Sequence, residues 1–385
     1  MVDKFIIIMK LCVFPNDPLI EYYKKGEIKN RYFNPKKIFD EVHFISLIQN
    51  DVDETEIKNT VGDAKLKIHS VGKFNLKNRK MGFTKIEQIV KEIKPDIIRA
   101  YSPYLTGWFA AKCSINLKIP FYLSLHTNYD YNKTIVKKTN FKKYLGLKIT
   151  ERFIEPYVLK NANKITIVYK IIEPYVLKHG GRKPEVVYNK IDFKKFENAT
   201  PKNDLDKPLI ISVGNLIPEK NHECLIQAMK NIDASLIIIG NGVRHDFLTN
   251  LIEKKKLQNK IKIIKSVPHD EIPRYYKSAD VFALAYDPNV ESIPMPVVES
   301  IASGIPVIVS EPENGDIEEI GDSVIFCKRN PDSFAENIMK ILKNRELSEK
   351  MTKSSQKILN KFDSNVIESR EAQIYLELIN KNTNS

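Results

Sequence analysis

The 385-residue chain is 42% hydrophobic and carries 61 Lys and Arg against 48 Asp and Glu, a net charge of +13 that favours anionic partners such as nucleotide sugars, acidic lipid headgroups or nucleic acid. Its length suits two or three domains with well-buried cores, and its four cysteines (Cys12, Cys113, Cys224, Cys327) are too scattered for a zinc site or a disulfide framework. No apolar run approaches the roughly 18 to 20 residues of a bilayer span and the charged start Met-Val-Asp-Lys lacks signal-peptide form, so the expected setting is cytoplasmic, soluble or peripheral on the inner face of the cell membrane.

In the first half, apolar runs at residues 5–9, 42–48, 97–100, 121–125 and 165–168 alternate with helical stretches, a pattern that predicts a parallel α/β sheet. Residues 11–37, after the first of these runs, are long and polar-aromatic, as an acceptor loop or an irregular connection would be. Asp51-Val52-Asp53 stands in a polar loop and reads as solvated rather than metal-binding. His126 ends the 121–125 run. Between residues 131 and 152 the cations Lys133, Lys137, Lys138, Lys142, Lys143, Lys148 and Arg152 are interleaved with Tyr131, Phe141, Tyr144 and Leu145, against the single acid Glu151. That stretch reads either as a solvated helix or as a patch docking on anionic lipid, with Lys137, Lys138, Lys142 and Lys143 as its candidate contacts. Ile-Glu-Pro-Tyr-Val-Leu-Lys occurs twice, at 154–160 and 172–178; both copies are expected as helices flanking the 165–168 strand, and two copies are too few for a stacked array.

Residues 197–208 are polar and turn-rich, which predicts a linker. Beyond it, residues 210–229 read as strand, turn and helix, with Gly214 at the strand end and Lys220 just before the helix, where its ammonium suits phosphate oxygens. Residues 236–242 close a second strand on Gly240-Asn241-Gly242. The segment 291–310 then places Glu291 in a loop and Glu299 in the first turn of a helix that starts at Pro296 and ends at Gly304, followed by a buried strand. A helix start holds a diphosphate through unpaired N–H groups, and two carboxylates accept hydrogen bonds from separate hydroxyls, features that a sugar nucleotide satisfies together; the residues equally fit Glu299 complementing the helix dipole and Glu291 as a solvated loop charge. A final helix is expected after Lys361, capped by Asp363 or Ser364.

Taken together, Val213-Gly214-Asn215-Leu216 with Lys220, Ile239-Gly240-Asn241-Gly242, Tyr275 to Val281, and Glu291 with Glu299 across seven residues resemble the retaining glycosyltransferases of family 4 over most of residues 90–380. The resemblance implies a GT-B architecture, α/β, with two Rossmann-like domains facing across a cleft. The corresponding boundaries are 1–196 for an acceptor-side domain, 197–208 for the linker, 209–362 for a nucleotide-sugar domain and 363–385 for a helix returning to the first domain. It implies transfer from a nucleoside-diphosphate sugar to a glycan or lipid-linked hydroxyl, without metal or other cofactor and without nucleic acid. Glu291, His126 and Lys220 become the implied catalytic residues. Gly214, Asn215, Lys220, Gly240, Ser292, Ile293, Met295 and Glu299 are the implied donor contacts. Asn215 replaces an arginine frequent in the family, Ser292-Ile293-Pro294 replaces Gly-aromatic-Gly, Lys190 replaces a glycine, and no glycine pair follows the first strand. These departures leave a catalytically silent membrane-associated binding protein as one alternative, beside an epimerase or phosphorolytic enzyme on the same scaffold.

Overall fold

The computed structural model describes residues 8–383, apart from 25, 27, 269 and 313–319. The chain divides into two compact units, residues 1–188 with 367–385, and residues 189–366. The division therefore falls after Tyr188, and the 197–208 stretch expected as the linker lies inside the second unit.

The first unit contains a seven-stranded sheet of β1 (Lys10–Phe14), β2 (Glu41–Ser46), β3 (Lys65–Ser70), β4 (Ile97–Ala100), β5 (Phe121–Leu125), β6 (Lys164–Ile167) and β7 (Glu185–Val186). The strands are parallel in the order β3-β2-β1-β4-β5-β6-β7. Its helices are α1 (Leu19–Lys24), α2 (Arg79–Ile93), α3 (Leu105–Leu117), α4 (Tyr129–Thr139), α5 (Phe141–Phe153), α6 (Glu155–Asn161) and α7 (Glu173–Lys178). Both IEPYVLK copies are helical, α6 and α7, on either side of β6. Asn128 caps α4 through the Tyr131 amide and Asn140 caps α5 through the Lys143 amide, which splits the basic stretch into two helices.

The first strand differs from expectation. Phe5, Ile6 and Ile7 lie outside the described residues, and β1 is formed by the next apolar run, whose Leu11, Cys12, Val13 and Phe14 are fully buried and pair with β2 and β4. The connection after it therefore begins at Pro15, and the proposed acceptor loop loses its first four residues to the sheet. Asp51 proves structural, since its carboxylate accepts the Leu19 and Ile20 amides at the start of α1 and the Ser46 hydroxyl.

In the second unit β8 (Leu209–Val213), β9 (Ser235–Ile239), β10 (Ile261–Ile264), β11 (Val281–Leu284), β12 (Val307–Ser310) and β13 (Ile325–Cys327) form a parallel sheet in the order β10-β9-β8-β11-β12-β13. The helices are α8 (Phe193–Glu197), α9 (His222–Ala228), α10 (His245–Lys254), α11 (Ile272–Ser278), α12 (Met295–Ala302), α13 (Pro331–Lys343) and α14 (Arg345–Gln356). Runs such as LIISV in β8 are buried throughout because helices cover both faces, which explains their unbroken apolar character. Ile191 pairs with Asp363, with the Ile191 amide donating to Phe362 and the Ser364 amide to Ile191, so the two ends of this unit are stitched together beside Lys190.

The last helix, α15 (Ser364–Thr383), is capped by Asp363 and joins the first unit from Ile367 onward. Buried Arg99 on β4 holds it. The guanidinium donates to Glu371 at 2.8 Å, to the Tyr375 hydroxyl at 2.7 Å and to Ser124 at 3.0 Å, and lies over the rings of Tyr101, Tyr122 and Tyr375.

Candidate active site

In an open parallel sheet, ligands bind outside the carboxyl ends of the strands where the strand order reverses. In the second unit that point lies between β8 and β11, and Gly214, Lys220 and Glu291 lie on the segments that follow these two strands. Gly214 ends β8 and Gly240 ends β9. A Cβ on Gly240 would stand 2.0 Å from the Gly214 carbonyl and one on Gly242 would stand 2.5 Å from that of Leu216, so only glycine lets the two turns approach this closely. The Leu216 amide donates to Asn241 at 2.9 Å, locking one turn against the other.

From these turns the chain passes through a short 3-10 turn at Pro218–Lys220 and a left-handed Asn221 into α9. Lys220 is 9% exposed, and its Nζ lies 2.5 Å from Oε2 of Glu291, in the loop after β11. The two groups predicted separately, 71 positions apart, form one ion pair. Tyr286 backs it: its ring lies 5.9 Å from Lys220 Nζ, and its hydroxyl donates to the Ser292 carbonyl at 2.7 Å. Burial and the Glu291 charge push the Tyr286 phenol well up, so it stays a neutral donor.

Helix α12 begins at Met295, one residue earlier than expected, with Pro294 as N-cap and Gly304 in the left-handed region after its end. Its first turn presents backbone N–H at the same sheet edge. Glu299 is half-buried and accepts a 3.0 Å hydrogen bond from Tyr276, a fully buried residue on α11 packed against Phe196 and Phe282. One carboxylate oxygen is thereby fixed. Of the remaining candidates, Asn215 is exposed, Ser292 and Met295 are half-buried, and Ile293 is 2% exposed, so its side chain belongs to the interior and only its backbone is placed for a ligand.

Two residues at this edge are not among the expected site residues. Tyr276 orients Glu299 from 23 positions away. His222, at the first position of α9, is fully buried; its Nδ1 meets the Ser212 hydroxyl at 3.2 Å, and its Nε2 lies 3.7 Å from where a Gly214 Cβ would stand. Burial and then the nearby Lys220 hold its pKa down at about 4, so it is neutral near pH 7.

His126 belongs to the first unit, at the carboxyl end of β5 beside the β1/β4 reversal. Its ring centroid is 5.4 Å from that of Tyr101, and its pKa is pushed down to about 3 by burial and by Arg99. The ring is therefore neutral near pH 7. Among the described residues Asp130, Glu151 and His179 form a group with metal-ligand chemistry, but Lys178 lies 3.0 Å from Asp130 and Lys133 lies 3.7 Å from both Asp130 and Glu151. Those ammonium groups neutralise the carboxylates, and the group reads as a salt-bridge cluster. Lys137, Lys138, Lys142 and Lys143 are exposed, whereas Lys133 is buried against Glu155.

Comparison with known families matches residues 40–195 to the model described as Glycosyltransferase Family 4 and residues 193–358 to the one described as Glycosyl transferases group 1. The chain belongs to the family 4, group 1 glycosyltransferases. This glycosyltransferase is 25% identical over 363 residues to an uncharacterized glycosyltransferase of Methanocaldococcus jannaschii, covering 93% of the chain and 95% of the relative. It is 24% identical over 315 residues to the alpha-monoglucosyldiacylglycerol synthase of Acholeplasma laidlawii, covering 76% and 78% of the two chains. A solved structure of Anabaena HepE in complex with UDP and glucose has a TM-score of 0.72 at 17% identity, covering 96% of this chain and all of that one. The two parallel-sheet units of the glycosyltransferase are thus the Rossmann-like domains of the GT-B fold.

Proposed function

We propose that this glycosyltransferase moves a sugar from a nucleoside-diphosphate donor to a hydroxyl of a glycan or lipid-linked acceptor, with retention of anomeric configuration and without a metal. The observation that carries the reading is the Lys220–Glu291 pair, set beside the Gly214 and Gly240 turns and the start of α12 at the switch point of the second sheet. An ammonium offers three donors, so Lys220 has capacity for phosphate oxygens beyond its bond to Glu291. Lys220 and the α12 amides take up the charge that grows on the diphosphate as the bond from the anomeric carbon to the phosphate oxygen breaks. The acceptor oxygen forms its new bond on the face the diphosphate leaves, and its proton passes to the departing phosphate oxygen. Glu291 orients the sugar, and Glu299, held by Tyr276, binds the ribose. The relative named as a glucosyldiacylglycerol synthase supports an acceptor in glycolipid or cell-surface glycan synthesis.

A thermal-shift screen of UDP, GDP, ADP and dTDP sugars tests this directly. One donor class at 100 times its dissociation constant is expected to stabilise the protein by about 2.7 kcal/mol, and NMR of the product should show the donor's anomeric configuration. Stabilisation by no nucleotide sugar would remove the donor assignment, and an inverted product would remove retention.

A further inference from the structure

Helix α5 is built with its apolar side outward. Phe141, Leu145, Ile149 and Phe153 are 60%, 50%, 51% and 64% exposed. They recur every fourth position, so at about 100° per residue they share an arc of roughly 120° along the whole helix. The opposite side is polar and occupied. Thr150 is buried and donates to Glu155 at 2.9 Å; Glu155, fully buried at the start of α6, also accepts from Lys133 at 2.7 Å and from the Tyr175 hydroxyl at 2.5 Å. Glu151 faces Lys148, Lys133 and Lys178. Rolling the apolar seam inward would strand these buried charges, so α5 is fixed with the seam in solvent. Here the repeated heptapeptide finds a role: the glutamate of its first copy, Glu155, is bonded by the tyrosine of its second, Tyr175.

Cations surround the seam. Lys142, Lys143 and Arg152 on α5 and Lys137 and Lys138 on α4 are exposed, and the two acids of the hairpin, Asp130 and Glu151, are already held by lysines. Four large apolar side chains ringed by unopposed positive charge match the headgroup boundary of an anionic bilayer, where apolar groups enter the acyl region and basic groups meet phosphates. No described helix is long and apolar enough to cross a membrane, so attachment through α5 lies in the plane of the surface. We propose that α5 is a membrane-docking helix whose Phe141, Leu145, Ile149 and Phe153 insert into an anionic lipid interface, with the flanking lysines on lipid phosphates. The inference is independent of the sugar-transfer reading. It adds a consequence for the first unit: α4 leaves the carboxyl end of β5 just after His126, so docking tethers that edge of the sheet to the lipid surface.

Sedimentation of the full chain with vesicles tests it, using phosphatidylcholine alone and phosphatidylcholine with about 30% phosphatidylglycerol across a salt series. The protein is expected to bind the anionic vesicles and to release as salt rises. Leu145→Gln with Ile149→Gln, both at exposed positions and checked for an unchanged melting midpoint, should lower partitioning at least about tenfold. Lys142→Glu with Lys143→Glu should lower it at least about tenfold and flatten the salt dependence. The proposal fails if the wild type ignores anionic vesicles, or if the seam variant binds them as the wild type does. It also fails if the seam variant abolishes a dimer seen by sedimentation velocity while vesicle binding is absent, which would assign the seam to a second copy of the chain.

Discussion

Replacing Lys220 by alanine is expected to lower kcat for sugar transfer about 100- to 1,000-fold, the range seen when one preorganised donor is removed from the place where transition-state charge develops. The magnitude follows from where the ammonium sits. At 9% exposure it works in a medium where charge interactions are stronger than in water, and it stands at the reversal point of the sheet with the α12 start. The variant also leaves the Glu291 carboxylate half-buried without its cation, which repels an incoming diphosphate and raises KM together with the fall in kcat. Lys220→Arg should recover only part of the rate, since a planar guanidinium does not reproduce a compact ammonium bonded to Glu291. Steady-state kinetics with the donor found in the screen reads both parameters. A kcat within threefold of wild type would place the leaving-group chemistry elsewhere.

The second large effect is on stability. Arg99→Met is expected to lower the unfolding free energy of the first unit by about 3–5 kcal/mol, because it leaves Glu371 buried without its partner and removes the guanidinium from three aromatic rings. Arg99→Met combined with Glu371→Leu should regain most of that loss, since an apolar pair of similar volume replaces a buried ion pair at little cost. Urea unfolding of the four proteins in the cycle measures the coupling, and hydrogen exchange along residues 367–383 should rise in the single variant. A loss below about 1 kcal/mol for Arg99→Met would mean that the C-terminal helix is held by its apolar contacts alone.

What could be read in advance follows the range of the interactions involved. The strands Ile97–Ala100 and Phe121–Leu125 are visible in the chain because a strand buried on both faces needs an unbroken apolar run, a local property. The strand Lys10–Phe14 is instead specified by its pairing with β2 and β4, and that information lies 31 and 86 positions away. Gly214, Lys220, Gly240, Glu291 and Glu299 were each recognisable from strand ends, helix starts and the family motif. The pairing of Lys220 with Glu291 depends on β8 lying beside β11, which no local pattern states. Tyr276 stands in the family segment Tyr275 to Val281 but not among the expected site residues, because it acts through Glu299; His222 gives no signal in the chain beyond its place at a helix start.

The basic stretch shows the same limit from another side. Lys133 counts as a surface cation by composition, yet Glu155 draws it into the interior. Phe141 and Leu145 stood out among the lysines, but the continuation of their seam through Ile149 and Phe153 appears only once residues 141–153 are known to be one helix with its polar side occupied. The domain division fell earlier than the polar 197–208 stretch suggested because α8 packs with α11 and α12 of the second unit, a preference set by tertiary contact.

The diphosphate of an activated sugar is expected to be held by Lys220 and the start of α12. Calorimetric titration of the matching nucleoside diphosphate into wild-type protein and into Lys220→Ala tests it most directly. Saturable one-to-one binding to the wild type is expected, with affinity at least about tenfold weaker for the variant, the loss that follows from removing a hydrogen bond to a charged group. Equal affinity for the two proteins, or binding by neither, would contradict it.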